Sequence, residues 1–137
     1  MNIFIIFLYL INMATSVDSK EIKLQLKQAR ELINRKDHAA ALKLCENIIV
    51  QDKKNYMAWV MIAACAQELK QFNQAQCALF KALELDENQT FAYQGMISLY
   101  EKCPALLTEE DLISSYRKLC MLTRAYVFSL PKANVLY

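Results

Sequence analysis

A 34-residue repeat is the feature that most constrains how this chain folds. Segments 41–52 and 75–86 share the same apolar spacing, and both end in Asp. The same step relates Gln25 to Trp59 and Trp59 to Tyr93, so the period extends over successive copies. Because repeats of this kind stack as equivalent units, we expect one local structure to recur along the chain.

Each copy of the repeat has the pattern of two helices joined by a short polar turn. Apolar residues recur about every 3.6 positions, which places them on one face of a helix. Asp18 with Glu21 predicts a capping-box-like start for the first helix, and Asp37 begins the return helix. Thr108 with Asp111 predicts the start of the last helix.

The repeat length is that of tetratricopeptide units, so the predicted fold is an all-α solenoid of about three helical hairpins. The single Gly and two Pro of the chain agree with helices nearly throughout. The predicted repeats span residues 18–53, 54–87 and 88–128. An apolar or irregular segment at 1–17 precedes them, and an irregular tail at 129–137 follows.

A helical hairpin cannot bury both faces of its own helices, so neighbouring hairpins have to stack. Small residues allow helix axes to approach closely, and large aromatic residues fill the remaining gaps. The residues predicted to pack within and between repeats are Ala29, Ala41, Trp59, Ala63, Ala75, Ala82, Tyr93 and Tyr100.

The first helices of successive repeats line the concave side of such a solenoid, so equivalent side chains there are candidate partner contacts. The resulting groove is basic at one end and apolar through its middle. Its predicted residues are Lys23, Leu26, Arg30, Met57, Val60, Phe91, Gln94 and Ser98.

Chaperone-binding tetratricopeptide domains resemble one another in a Lys and Asn clamp that holds a terminal carboxylate. The equivalent positions of this chain hold Leu26 and Arg30 in the first repeat, and Val60 and Ala64 in the second. The clamp is missing, so we do not expect a chaperone cofactor.

No pattern in the sequence points to catalysis, a metal or a cofactor. His38 is the only histidine, and no known motif pairs it with a nucleophile or carboxylate, so we interpret it as a packing residue. The acidic run 109–111 fits the first turn of a helix, where the macrodipole favours carboxylates. A formal charge of only +2 gives weak attraction to phosphates, so direct nucleic-acid binding is not predicted.

The five cysteines indicate a reducing compartment. They are odd in number and form no CxxC pair, which argues against a disulfide framework and against a zinc site. We therefore expect reduced, mostly packed thiols and a cytoplasmic location, with the nucleus as the other reducing compartment.

Residues 1–12 are apolar but too short to cross a bilayer, which requires about 20 residues. Three interpretations stay open: a secretory signal, a membrane anchor, or a spurious extension that precedes a true start at Met13. The apolar run lacks preceding basic residues, and the cysteines argue against secretion, so we favour Met13. No membrane association is predicted unless residues 1–12 are genuine.

Some stretches are more specific than the general repeat pattern, namely residues 55–69, 73–76 and 92–102. They resemble the amino-terminal repeats of the tetratricopeptide scaffold subunits of superkiller (Ski) complexes, over about residues 19–122. Members of that family are far longer, so the resemblance implies an amino-terminal fragment or a truncated gene model.

Members of that family also start just before a Ser-Lys-Glu segment like the one at 19–21, which agrees with a start at Met13. The resemblance implies a cytosolic scaffold that brings an RNA helicase and a WD-repeat subunit together and supports 3′-to-5′ mRNA decay by the exosome. The alternative is a stand-alone peptide-binding adaptor unrelated to RNA decay. In both cases we expect a protein-protein interaction function and no enzymatic activity.

Overall fold

The computed structural model describes residues 2–8 and 18–129, with side chains described as far as residue 124. Within these ranges the backbone is mostly helical, with short turns between the helices, and contains no strand. The helices are α1 (residues 3–8), α2 (Ser19–Asn34), α3 (His38–Gln51), α4 (Tyr56–Glu68), α5 (Phe72–Leu85), α6 (Thr90–Lys102) and α7 (Glu109–Ser129), with a 3-10 turn at Pro104–Leu106.

The predicted solenoid of three helical hairpins is confirmed. The hairpins are α2 with α3, α4 with α5, and α6 with α7, and each helix packs against the next one in the chain. Helix α4 also contacts both α2 and α6, so the first helices of the three hairpins lie side by side. This arrangement creates the concave surface that a tetratricopeptide solenoid offers to partners.

Polar side chains cap the helices at the predicted positions. The Asp18 carboxylate accepts the backbone N–H of Lys20 at 3.0 Å, and the Asp37 carboxylate accepts a backbone N–H of the first turn of α3 at 3.3 Å. Thr108 and Asp111 form a reciprocal capping box, in which each side chain accepts the backbone N–H of the other residue. The N-terminal caps predicted at Asp18, Asp37 and Thr108 are therefore confirmed. The Glu21 carboxylate accepts from the Gln25 side chain, so the capping box predicted for α2 is only half formed.

The turn inside each of the first two hairpins contains a lysine in the left-handed backbone region. Lys36 has a φ of 63° and Lys70 a φ of 61°, and the two lysines occupy equivalent places in successive repeats. At the second turn the Gln71 N–H donates to the Ala66 carbonyl, and the Lys70 N–H donates to Gln67. This hydrogen-bond pair defines a Schellman ending, for which glycine is the usual residue at the left-handed position.

The turns between hairpins are held by the large aromatic residues of the repeat. The indole N–H of Trp59 donates to the Lys53 carbonyl at 2.9 Å, and the Tyr93 hydroxyl donates to the Glu87 carbonyl at 2.8 Å. The two donors are equivalent by the repeat period, and so are the two acceptors. Trp59 is half-buried and Tyr93 is buried, so each ring also packs against the neighbouring helices.

Close approach between helices occurs where the side chains are small. Five of the alanines predicted to pack between helices have at most 1% of their surface exposed, and Tyr100 is half-buried against the core. Gly95 permits a close approach of the Leu79 side chain, because a Cβ atom there would lie 2.6 Å from Leu79 Cδ2. The five alanines are Ala29, Ala41, Ala63, Ala75 and Ala82.

Two structural details concern the chain ends. Residues 3–8 form the helix α1 inside the segment 1–17 that was predicted to be apolar or irregular, and their apolar side chains are exposed. Helix α7 continues through Ser129, the first residue of the predicted tail. Met13 and residues 130–137 lie outside the described residues. Among the described helices, none combines the length and the hydropathy needed to cross a membrane.

Replacing Ala63 by Leu tests the close approach around α4. Ala63 is 1% exposed, so the larger side chain has no space and we expect the free energy of unfolding to fall by about 1–3 kcal/mol. Ala64→Leu is the matched control, because Ala64 is exposed on the same helix and its substitution should change stability by less than about 0.5 kcal/mol. Urea denaturation followed by circular dichroism measures both, and equal stabilities would contradict the packing.

Replacing Lys70 by Gly tests the left-handed turn. Glycine adopts this conformation without the Cβ clash, so we expect the free energy of unfolding to rise by about 0.5–1 kcal/mol. Lys43→Gly places the same substitution in an exposed position of α3 and should lower stability by about 1 kcal/mol. A decrease for both variants in thermal or urea denaturation would show that the turn is not strained.

Candidate functional site

The concave surface contains a groove with a volume of about 760 Å³. Its walls come from the end of α2 and the turn after it, from the first residue of α3, from α4, and from α6. Val60, Phe91, Gln94 and Ser98, all predicted as groove residues, line it together. This places the second and third repeats along one continuous surface.

The remaining predicted groove residues lie outside this depression. Lys23 and Arg30 are exposed on α2, where they are separated by about two turns of the helix. Leu26 and Met57 are half-buried and pack against the hydrophobic core. The structure therefore brings the predicted apolar and uncharged polar residues of the second and third repeats together in the groove. The predicted basic residues lie on an adjoining surface of α2.

Gln67 forms the floor of the groove and was not predicted. Its side chain is 4% exposed, its Nε2 donates to the Gly95 carbonyl at 3.0 Å, and its Oε1 accepts from the Ser98 hydroxyl at 2.8 Å. These bonds satisfy the buried amide and join α4 to α6. Gln67 lies about one helical turn beyond Ala64 on the same face, but only its hydrogen bonds to α6 reveal its role.

An ion pair lies at one end of the groove. Lys102 Nζ is 2.6 Å from Glu68 Oε1, and both residues line the groove. The hydrogen bond and the positive charge of Lys102 hold the pKa of Glu68 below its usual value. Because both side chains are substantially exposed, the ion pair contributes little to stability. Its two opposite charges leave this end of the groove polar but without net charge from the pair.

His38 lies at the same end as the ion pair. The residue is half-buried and lines the groove, and its Nδ1 is buried without a hydrogen-bond partner among the described residues. Its place in the repeat matches that of Phe72, which is half-buried against the core. The histidine thus occupies an aromatic packing position, and one edge of it contributes to the groove wall.

The middle of the groove is apolar. Phe91 is 48% exposed, Val60 is half-buried, and Ala64 is exposed in the same groove wall. Exposed aromatic area in a concave site is the type of surface that gains most from being covered by an apolar partner side chain. This middle section therefore suits the apolar residues of a peptide or a helix.

Other reactive side chains of the described part of the chain do not converge. No group of three or more His, Cys, Asp and Glu residues within it has the arrangement needed to hold a metal ion. Burial raises the pKa of Cys45 to about 12 and that of Cys65 to about 11, which keeps both thiols protonated. Cys77 and Cys120 are exposed, so the expectation of mostly packed thiols is wrong for these two residues.

Solved structures with low sequence identity share the fold. The Arabidopsis OM64 tetratricopeptide domain superposes with a TM-score of 0.67 at 19% identity, covering 75% of this chain and 83% of that one. The first tetratricopeptide domain of Spaghetti (RPAP3), solved bound to an HSP90 peptide, superposes with a TM-score of 0.69 at 19% identity, covering 77% of this chain and 82% of that one. No protein-family model matches the chain.

Sequence relatives give a more specific result. Superkiller complex protein 3 is 48% identical in Mus musculus and 46% identical in Homo sapiens, each over 103 residues and 75% of this chain. Tetratricopeptide repeat protein 37 of Xenopus laevis is 43% identical over 109 residues and 80% of this chain. The chain spans only 7% of the length of these relatives. By fold and by sequence, this chain belongs to the tetratricopeptide-repeat proteins and is a relative of superkiller complex protein 3.

Proposed function

We propose that this chain is a non-enzymatic scaffold that binds other proteins within a superkiller complex and thereby supports mRNA decay by the exosome. The observation that carries the proposal is the 48% identity over 103 residues to superkiller complex protein 3, which is far above that of the structural relatives. The repeat alone supports only a protein-binding solenoid, since the same fold serves many unrelated partners.

The groove supports the protein-binding part of this proposal. It is open, it exposes Phe91 and Val60 at its centre, and its floor is held by the hydrogen bonds of Gln67. A site built on the rigid first helices of stacked hairpins presents a preformed surface, which reduces the ordering cost of binding.

By resemblance, the proposed partners are an RNA helicase subunit, a WD-repeat subunit and the cytosolic exosome. The proposed location is the cytoplasm, with the nucleus as a second site. Direct binding of nucleic acid is not part of the proposal, because the chain carries a formal charge of only +2.

A stand-alone peptide-binding adaptor is the second candidate function. Its support is that the groove is formed entirely by the three described hairpins, and that a structural relative of similar size holds a peptide. This candidate needs none of the sequence that the long relatives have beyond the aligned 7% of their length.

Affinity purification with the tagged chain as bait separates the two candidates. The superkiller scaffold predicts recovery of the helicase and exosome components. The adaptor predicts other partners without those components. Recovery of neither set of proteins above the level of an untagged control would contradict both.

Phe91→Asp tests whether the groove carries the interaction. Placing a charge at the exposed apolar centre should lower partner recovery by about tenfold or more, because its desolvation opposes binding. Phe80→Asp is the matched control, since Phe80 is similarly exposed, at 41% against 48%, but lies on α5 outside the groove. Circular dichroism verifies that both variants are folded, and equal recovery with both would place the interaction elsewhere.

A further inference from the structure

Helix α2 carries a stripe of basic residues that continues into the groove. Lys23, Lys27, Arg30 and Asn34 follow one another at alternating steps of four and three positions, which keeps them on one face of the helix. The first three are exposed, and Asn34 lines the groove. The basic face of α2 therefore adjoins the mouth of the groove, and we call these three cations the basic stripe.

The charge of the basic stripe is not neutralised by neighbouring carboxylates. Within the part of the chain that the structure describes, none of Lys23, Lys27 and Arg30 has a carboxylate within ion-pair distance. Glu31 lies about one turn after Lys27 on the helix, but no ion pair joins them. Glu68, the acidic residue in the groove wall, is already paired with Lys102.

The wall of the groove adds further positive charge. Lys36 lines it close to Asn34 in the chain and is also without an ion pair in the described structure. With the paired Lys102 and Glu68 counted together as neutral, the groove and the adjoining stripe carry an excess of four cations, Lys23, Lys27, Arg30 and Lys36. These four cations attract an approaching chain with negative charge and repel one with positive charge.

We propose that the groove binds an internal peptide segment in which an apolar block adjoins a run of Asp or Glu residues. The apolar side chains cover Val60 and Phe91, and the carboxylates lie over the basic stripe. This inference rests on the proposed function of the groove as a protein-binding site. The inference adds the chemistry of the partner segment and its orientation, in which the acidic part lies at the first repeat.

The position of the cations favours side-chain carboxylates over a terminal carboxylate. Lys23, Lys27 and Arg30 extend along about two turns of α2, so they match charges distributed along a segment and not a single end group. A terminal carboxylate needs several convergent donors in the groove. Of the four corresponding positions, only Arg30 carries a donor, and the others hold Leu26, Val60 and Ala64.

A single-stranded nucleic acid is the other polyanion that a basic stripe attracts, but the groove suits it less well. Base stacking requires several exposed aromatic rings along the site. Phe91 supplies one, whereas the Trp59 and Tyr93 side chains hydrogen-bond to the turns between hairpins. The other ring among the described lining residues is that of His38, which is half-buried and lies at the ion-pair end, away from the apolar middle section.

Fluorescence anisotropy with the full chain and three designed probes tests the proposal. The first probe is a carboxyl-amidated peptide with a run of glutamates followed by a Leu- and Phe-rich block. The second has glutamines in place of the glutamates, and the third is a labelled oligouridine. We expect the first peptide to bind about tenfold or more tighter than the second at low salt, and this difference to shrink as salt is added.

Charge reversal locates the effect on the protein. The triple variant Lys23→Glu, Lys27→Glu and Arg30→Glu should abolish the difference between the two peptides, while leaving the weaker binding of the glutamine peptide unchanged. The matched control makes the same change of net charge at exposed basic residues outside the groove and should retain the difference. Its substitutions are Lys43→Glu, Lys53→Glu and Arg117→Glu. Circular dichroism verifies that both variants are folded.

The outcomes separate this inference from the proposed function. If both peptides bind equally well and Phe91→Asp abolishes the binding, the preference for an acidic segment is overturned, whereas the groove remains a protein-binding site. Loss of the difference in both triple variants overturns the role of the basic stripe. Absence of binding by both peptides contradicts the groove itself, and oligouridine binding that only the α2 triple variant loses identifies nucleic acid as the ligand.

Discussion

The close packing of α4 against its neighbours is the constraint on which the rest of the structure depends. Helix α4 contacts the helices on both sides within its own layer and the second helices of two hairpins. Eight of its 13 residues are buried, so the helix has no continuous polar face and cannot be stable in isolation. Small side chains at Ala58, Ala63 and Ala66 permit this degree of enclosure. Stability is therefore a property of the stack and not of the single hairpin.

Hydrogen bonds between repeats make the shape of the groove depend on the same packing. The Tyr56 hydroxyl accepts the Ala92 N–H at 2.9 Å and serves as a cap for α6, whose own N-cap residue, Gln89, supplies none. Gln67 joins the same two helices at the groove floor. Because both of these side chains come from α4, a shift of that helix would leave a buried N–H and a buried amide unpaired together. The groove is thereby held at a defined width before any partner binds.

The sequence predicts the elements that recurring local patterns mark, and it predicts poorly those that depend on an unusual backbone conformation or on contacts between repeats. The 34-residue period and the capping residues determine the three hairpins, because they depend on local patterns that recur. Lys36 and Lys70 carry no signal for a left-handed turn, since glycine is the residue that usually marks one. Gln67 is equally hidden, because Ile33 and Glu101 stand at its equivalent places and share neither its size nor its bonding. Its role exists only through contacts with the next repeat.

Departures from the 34-residue period explain why the chemistry of the groove differs between its two ends. A repeat presents the same backbone three times, so residues that keep the period contribute packing, and only residues that depart from it can give the surface a direction. Along the groove face, Arg30, Ala64 and Ser98 are equivalent by the 34-residue step, yet they are basic, apolar and polar in turn. The neighbouring series begins with a lysine in the first repeat and becomes apolar at Met57 and Phe91. A partner that bound across all three repeats would therefore meet positive charge at the first, apolar surface at the second, and Phe91 beside polar side chains at the third. This gradient gives the surface a direction without any change in the fold.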